Sequence, residues 1–235
     1  MGSTEQLPFA LPHVMARGGE DFFVTAANRD AVGRLDAWPE WPHHALILVG
    51  ASGSGKSHLA NVWRTRTGAR TVDEASLAEN LFLTEGGRAP FLIEDVDRML
   101  RAGNEDRERA IFHLFNWVKE NGGTLLMTAR DPVAAWSPGL ADLRSRLLAT
   151  PVAQLGVPDD ALLEAVMVKQ FSDRQMKVPP EVVRFALSRL ERSFAAVRDF
   201  VEAVDRASLS AKRAVTVPLV RGILDRTEKD RQSLS

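Results

Sequence analysis

The chain has 235 residues, 45% of them hydrophobic, which is enough to bury one large core with a smaller one attached. Its 30 Lys and Arg against 31 Asp and Glu leave a formal charge of -1, so no global field draws it to nucleic acid or to an anionic membrane. The absence of cysteine excludes disulfides, thiolate zinc sites and cysteine nucleophiles, and it fits a reducing cytosol. No run approaches the roughly 18 apolar residues of a membrane span, and the start lacks a basic segment followed by an apolar one. The expectation is a cytoplasmic protein, neither secreted nor inserted.

The first segment, "EQLPFALP" (5–12), suits neither a helical nor a strand period, and alone it reads as a terminal arm laid over an apolar groove of the core. "FFVTAANRDAVGRLDAW" (22–38) predicts an extended entry and then a helix, which the prolines of "WPEWPHH" end. "ALILV" (45–49) is a short apolar run of the kind a parallel strand buried on both faces requires. "PFLI" (90–93) and "TLLMT" (124–128) repeat that signal, and "ARTVD" (69–73) carries a weaker one. Between them Ile111, Leu114, Phe115 and Val118 recur at helical spacing.

From Pro158 the pattern changes. Residues 158–176, 179–191 and 193–213 are all helically periodic, each opening on Pro, Asp or Ser, and a last helix is expected near Val217 and Pro218. The expected fold class is therefore α/β, a parallel sheet covered by helices over 21–156, followed by a small all-helical domain over 157–235 and preceded by an extension over 1–20.

"GASGSGKS" (50–57) satisfies G-x-x-x-x-G-K-[ST] directly after a buried strand and at a helix start. Glycines let backbone N–H groups turn inward, and the following helix adds its positive end beneath the phosphates. The motif assigns Gly50, Ala51, Ser52, Gly53, Ser54, Gly55, Lys56 and Ser57 to a nucleotide, with Lys56 at the β- and γ-phosphates and the Ser57 hydroxyl on Mg²⁺.

"FLIEDVD" (91–97) delivers carboxylates to the same edge of the sheet, where ligands bind in open α/β folds. Such strands mostly end in Asp then Glu, but here the order is Glu94 then Asp95. Glu94 takes the magnesium position and Asp95 the base position, an order that points to slow or impaired hydrolysis.

With these motifs in place the sequence resembles AAA+ ATPases, and within them the DnaA/Hda group. "GKSHLA" is similar to that group's G-K-[ST]-H-L, which adds His58 to the nucleotide-binding segment, and "FFVTAANRDA" is similar to its entry segment near the adenine. The resemblance runs from about Phe22 to about Ala207. It implies that Thr128 is the sensor-1 residue and Arg198, in "AAVRDFVEAV", the sensor-2 arginine. "DLRSRLLATPV" resembles the segment that carries an arginine finger acting in trans, which points to Arg146 with Arg144 as the rival.

Initiators of this group carry a DNA-binding domain after the lid, which is not expected in a chain whose sequence stops at Ser235. Gln6, Leu7, Pro8, Phe9 and Leu11 resemble the extended peptides that bind the DNA polymerase sliding clamp. Together these features resemble the Hda-type regulators, and what the resemblance implies is a negative regulator of replication initiation. It would bind ADP or ATP with Mg²⁺, dock on the clamp, and stimulate hydrolysis by DnaA, meeting DNA only indirectly and with assembly into oligomers open. The other reading is an AAA+ helicase loader or motor that acts by its own turnover, kept open by the intact Lys56, Ser57 and acidic pair.

Overall fold

The computed structural model describes residues 23–84, 88–101, 103–211 and 215–232. They divide into two compact units, one over Ala26–Pro158 and one that takes up the chain from Asp159 together with Phe23–Thr25. The division falls after Pro158.

In the first unit, helix α1 (Arg29–Asp36) precedes strand β1 (Ala45–Val49), helix α2 (Lys56–Thr67) and a two-residue strand β2 (Arg70–Thr71). Helix α3 (Glu74–Ala78) and a 3-10 turn at Leu81–Thr84 lead to β3 (Pro90–Ile93), α4 (Val96–Arg101), α5 (Glu105–Glu120), β4 (Thr124–Ala129), α6 (Ala141–Ala149) and β5 (Val152–Gln154). Among the described residues the strands form one 5-stranded sheet in the order β2-β3-β4-β1-β5, and every pairing is parallel. Parallel neighbours need crossovers, which the helices supply, and so both faces of the sheet are covered.

Side chains alternate between the faces. Ile47, Val49, Phe91, Ile93, Leu125 and Met127 enter the main core with Ile111, Leu114, Phe115 and Val118 of α5 and with Leu143 and Leu147 of α6. The intervening Leu46, Leu48, Leu92 and Leu126 are buried on the other face, where α2 packs on β3 and β4. That is why "ALILV" carries no polar residue: β1 lies between β4 and β5 and is buried at every position.

The second unit holds α7 (Asp160–Asp173), α8 (Pro180–Leu187), α9 (Phe194–Ala211) and α10 (Val217–Gln232). Its helix starts follow local rules. The Asp159 carboxylate accepts the Leu162 N–H at 2.8 Å, Pro180 opens α8, and the Ser193 hydroxyl accepts the Ala196 N–H at 3.1 Å. Its separate core joins Leu163, Met167 and Phe171 of α7, Val182 and Val183 of α8, Val197, Phe200, Val201 and Val204 of α9, and Val220 and Leu224 of α10. Among the described residues no helix is long and apolar enough to cross a membrane.

His44 sits just before β1, at the sheet edge where the strands begin. Its ring meets Phe115 edge-on, with centroids 4.6 Å apart, and its Nε2 is buried without a hydrogen-bond partner. Burial, with His43, Lys119 and Arg146 nearby, lowers its pKa from 6.5 to about 4. As pH falls below 6.5 the unfolded chain takes up this proton and the folded chain does not, so stability is lost between 6.5 and about 4. The loss is at most about 3 kcal/mol, less what solvent screening removes at the half-buried ring. In thermal melts followed by circular dichroism, His44→Gln is expected to flatten the decline in that window, and a decline identical to wild type would show that His44 does not carry it.

Candidate nucleotide site

The phosphate loop leaves the C-terminal end of β1. The Gly50 N–H donates to the Ala129 carbonyl of β4 at 3.1 Å, which ties the loop's first residue to the neighbouring strand. A Cβ on Gly50 would lie 2.7 Å from Ser54 Oγ and 2.9 Å from Leu155 Cβ, so no other residue fits here unshifted. The loop then turns through Gly53 and Gly55, whose φ values of 73° and 95° lie in the left-handed region that glycine occupies without penalty.

Helix α2 begins at Lys56 with no side-chain cap, so its positive end is turned to the loop without a capping side chain of its own. Ser54 Oγ is buried in the same loop without a hydrogen-bond partner. Lys56 is only 7% exposed, and its ammonium donates to the Gly50 carbonyl at 2.6 Å and the Ala51 carbonyl at 2.8 Å. Burial lowers its pKa and Arg130 lowers it further, against the raising pull of Asp95, Asp97 and Glu94. Ser57 and His58 lie exposed in the first turn of α2. An inward loop, an uncapped helix start and a buried ammonium fit a chain of phosphates.

The acidic segment follows β3. Ile93 is in register with Met127, so Glu94 and Asp95 emerge beside Thr128. Glu94 is half-buried. Asp95 has φ 51°, a conformation that costs a non-glycine residue and has to be held. Its N–H donates to Thr128 Oγ1 at 3.0 Å, and its carbonyl accepts the Arg98 N–H at 2.9 Å. Its carboxylate meets Arg130 Nη2 at 3.3 Å and Arg98 Nη1 at 3.5 Å. Thr128 is 1% exposed, with its hydroxyl engaged in this strand-to-strand link.

Asp97 has a part that sequence reasoning did not assign. Its carboxylate is fully buried, and one oxygen accepts the Arg130 N–H at 3.2 Å and the Asp131 N–H at 3.3 Å. Its other oxygen has no hydrogen-bond partner. Arg101 Nη2 lies 3.9 Å from the accepting oxygen, Oδ2, and also pairs with Asp131. The sequence gives Asp97 no role beyond its place in "FLIEDVD"; only the β3–β4 register brings it under residues more than 30 positions away.

The structure thus brings Lys56, the loop glycines, Glu94, Asp95 and Thr128 to one edge of the sheet. Arg144 and Arg146 lie on α6. Arg144 is exposed, whereas Arg146 is half-buried with its guanidinium 5.1 Å from the Phe112 ring centroid. The charge of Arg146 is felt at His44, where the strands begin rather than where the phosphate loop lies. Arg198, in the other unit, is exposed on α9 with Asp199 Oδ1 at 3.4 Å. Gln6, Leu7, Pro8, Phe9 and Leu11 lie outside the described residues.

Among the described residues no three His, Cys, Asp or Glu side chains converge on a metal-sized site. Magnesium needs no such cluster: it keeps several waters and is held by one or two protein oxygens plus substrate phosphates, which Ser57 and Glu94 would complete.

The Hda lid domain family matches residues 159–224, which fall in the second unit. An uncharacterized protein of Haemophilus influenzae is 30% identical over 189 residues, spanning 77% of this chain and 81% of its own. Among solved structures, domain III of the replication initiation protein DnaA from Thermotoga maritima superposes with a TM-score of 0.73 at 19% identity, covering 87% of this chain and 94% of that one. AMPPCP-bound DnaA from Aquifex aeolicus gives 0.68 at 16% identity, covering 90% and 68%. A lid of the Hda type behind a nucleotide domain folded like that of DnaA, in a chain that shares 30% of its residues across most of a relative's length, belongs to the DnaA/Hda family of AAA+ proteins.

Proposed function

We propose that this chain is a cytoplasmic negative regulator of replication initiation that holds an adenine nucleotide and activates hydrolysis on DnaA. The observation that carries the reading is the Hda-type lid at 159–224, joined to a nucleotide domain that keeps a full phosphate loop. The AMPPCP bound by the Aquifex aeolicus relative supports an adenine nucleotide at that loop, with Mg²⁺ beside Ser57 and Glu94. The nucleotide, ADP or ATP, serves chiefly as a conformational ligand. Asp95 supports this view, because its carboxylate is already paired with Arg130 and Arg98 instead of standing open to an attacking water.

Arg146 acts in trans. Its guanidinium, held over Phe112, loses little rotamer freedom on docking and would stabilise the transferring phosphoryl group of a neighbouring DnaA. Arg144, exposed two residues earlier, is the competing assignment. Gln6, Leu7, Pro8, Phe9 and Leu11 bring the protein to the DNA-loaded sliding clamp, with Pro8 limiting the entropy lost when the segment is ordered.

Two measurements check this reading. The rate of ATP hydrolysis by DnaA is followed with this chain, clamp and DNA. Gln6→Ala and Arg146→Ala are each expected to return it to the unstimulated rate, and for a finger that is on the order of a thousandfold. Unchanged hydrolysis in both variants would refute the proposal, and rapid turnover by this chain alone, indifferent to clamp, would favour a motor or loader. Second, MgADP at about 100 times its Kd should stabilise the protein by about 2.7 kcal/mol in denaturant titrations, an effect that Lys56→Ala abolishes.

A further inference from the structure

Arg130 follows the β4 strand end and is joined to the acidic segment in two ways. Its backbone is fixed: the Arg130 N–H donates to the fully buried carboxylate of Asp97 at 3.2 Å, and the next N–H, of Asp131, donates to the same oxygen at 3.3 Å. Its side chain is not. The guanidinium is 43% exposed and meets Asp95 Oδ2 at 3.3 Å, longer than the usual separation of a charge-assisted pair. An exposed ion pair of that length contributes little and is easily exchanged for a stronger anion.

The Arg130 charge is also felt by the Lys56 ammonium, so the guanidinium belongs to the electrostatic surroundings of the phosphate loop. An arginine whose root is anchored on a buried carboxylate, and whose head is loosely paired beside the phosphate lysine, has two alternative anions within its surroundings. One is Asp95. The other is the nucleotide's terminal phosphate.

We infer that the Arg130–Asp95 ion pair is a cis lock that reads the nucleotide: Arg130 stays on Asp95 when a diphosphate is bound and leaves it for the terminal phosphate of a triphosphate. The inference rests on the nucleotide-site reading above. It explains why the base position is occupied by a shorter acid that is already paired. Asp95 is held by its own chain's arginine until a γ-phosphate draws that arginine away. Thr128 keeps a separate task, fixing the Asp95 backbone at φ 51° through its hydroxyl, so the carboxylate stays in place when its partner leaves. The guanidinium fork suits the exchange, since it can meet two oxygens of either a carboxylate or a phosphate.

The test is equilibrium binding of fluorescent ADP and of a fluorescent non-hydrolysable ATP analogue, with magnesium, to the full chain. Arg130→Ala is expected to weaken the triphosphate analogue about tenfold or more, the loss of one charge-assisted contact, while ADP affinity changes less than about twofold. Arg130→Gln, which keeps the backbone bond to Asp97 and most of the side-chain bulk, gives the same split if Arg130→Ala proves unstable. Asp95→Asn removes the competing carboxylate and shifts the preference towards triphosphate, and in the Arg130→Ala background that shift disappears. A double-mutant cycle separates this coupling from a general structural effect. Equal weakening of both nucleotides, no weakening of either, or an Asp95→Asn shift that persists without Arg130 would overturn the lock while leaving the nucleotide site intact. Wild-type protein that binds neither nucleotide would overturn the site reading itself, and the lock with it.

Discussion

Gly50 occupies the one point where β1, the phosphate loop and the exit of β5 converge. A methyl group there would press on Ser54 Oγ at 2.7 Å, on Leu155 Cβ at 2.9 Å and on the Leu155 carbonyl at 3.0 Å. Real Cβ atoms do not approach so closely in packed interiors, and relief would require moving a strand exit or opening the loop. Leu155 is fixed, since its N–H donates to the Val49 carbonyl at 2.7 Å, and Gly50 itself is held by its own N–H on the Ala129 carbonyl at 3.1 Å. The missing side chain therefore allows the loop to curl tightly enough for Lys56 to reach back to the Gly50 and Ala51 carbonyls.

From that point the sheet's register sets everything else. β1 pairs with β4 along its whole length, and β4 pairs with β3 so that Ile93 faces Met127. The residues just past each strand end are then neighbours across the sheet edge: Thr128 holds Asp95, and Asp97 holds Arg130 and Asp131. Both links join a side chain on one strand exit to backbone N–H groups of another. Such links transmit a shift in one loop to the other more directly than apolar packing does, because a buried acceptor left without its donor is costly.

The parts of the fold that were legible in the sequence are those encoded within a few residues. "ALILV", "PFLI" and "TLLMT" carry their burial on their faces, and the four helices after Pro158 announce themselves by period and by start signals such as the cap Asp159 and the first-turn Pro180. Strand β5 was not legible. It is three residues long, with one fully buried, and is a strand only because β1 offers it an edge. Helix α3 escaped as well, since its capping box at Asp73 and Ser76 bounds only five residues. At the site, the phosphate loop could be read from spacing alone, whereas Asp97 and Arg130 could not. Their chemistry depends on which residue of β4 stands beside which residue of β3, and that register is a property of the whole sheet.

The near-zero net charge of the chain conceals a dense local balance at this edge. Glu94, Asp95, Asp97 and Asp131 stand against Lys56, Arg98, Arg101 and Arg130, four acids and four bases within a few residues of the strand ends. A neutral set does not attract phosphates by its total charge, so affinity has to come from rearrangement within it. Lys56 is held by two carbonyl oxygens, neutral acceptors that phosphate oxygens would replace with charged ones. Asp97 cannot take part, because it is buried and its accepting oxygen is bound to two backbone donors. Fixed and exchangeable charges are therefore separated by burial: the buried carboxylate sets the geometry of the loop after β4, and the partly exposed side chains around it are left to respond to what binds.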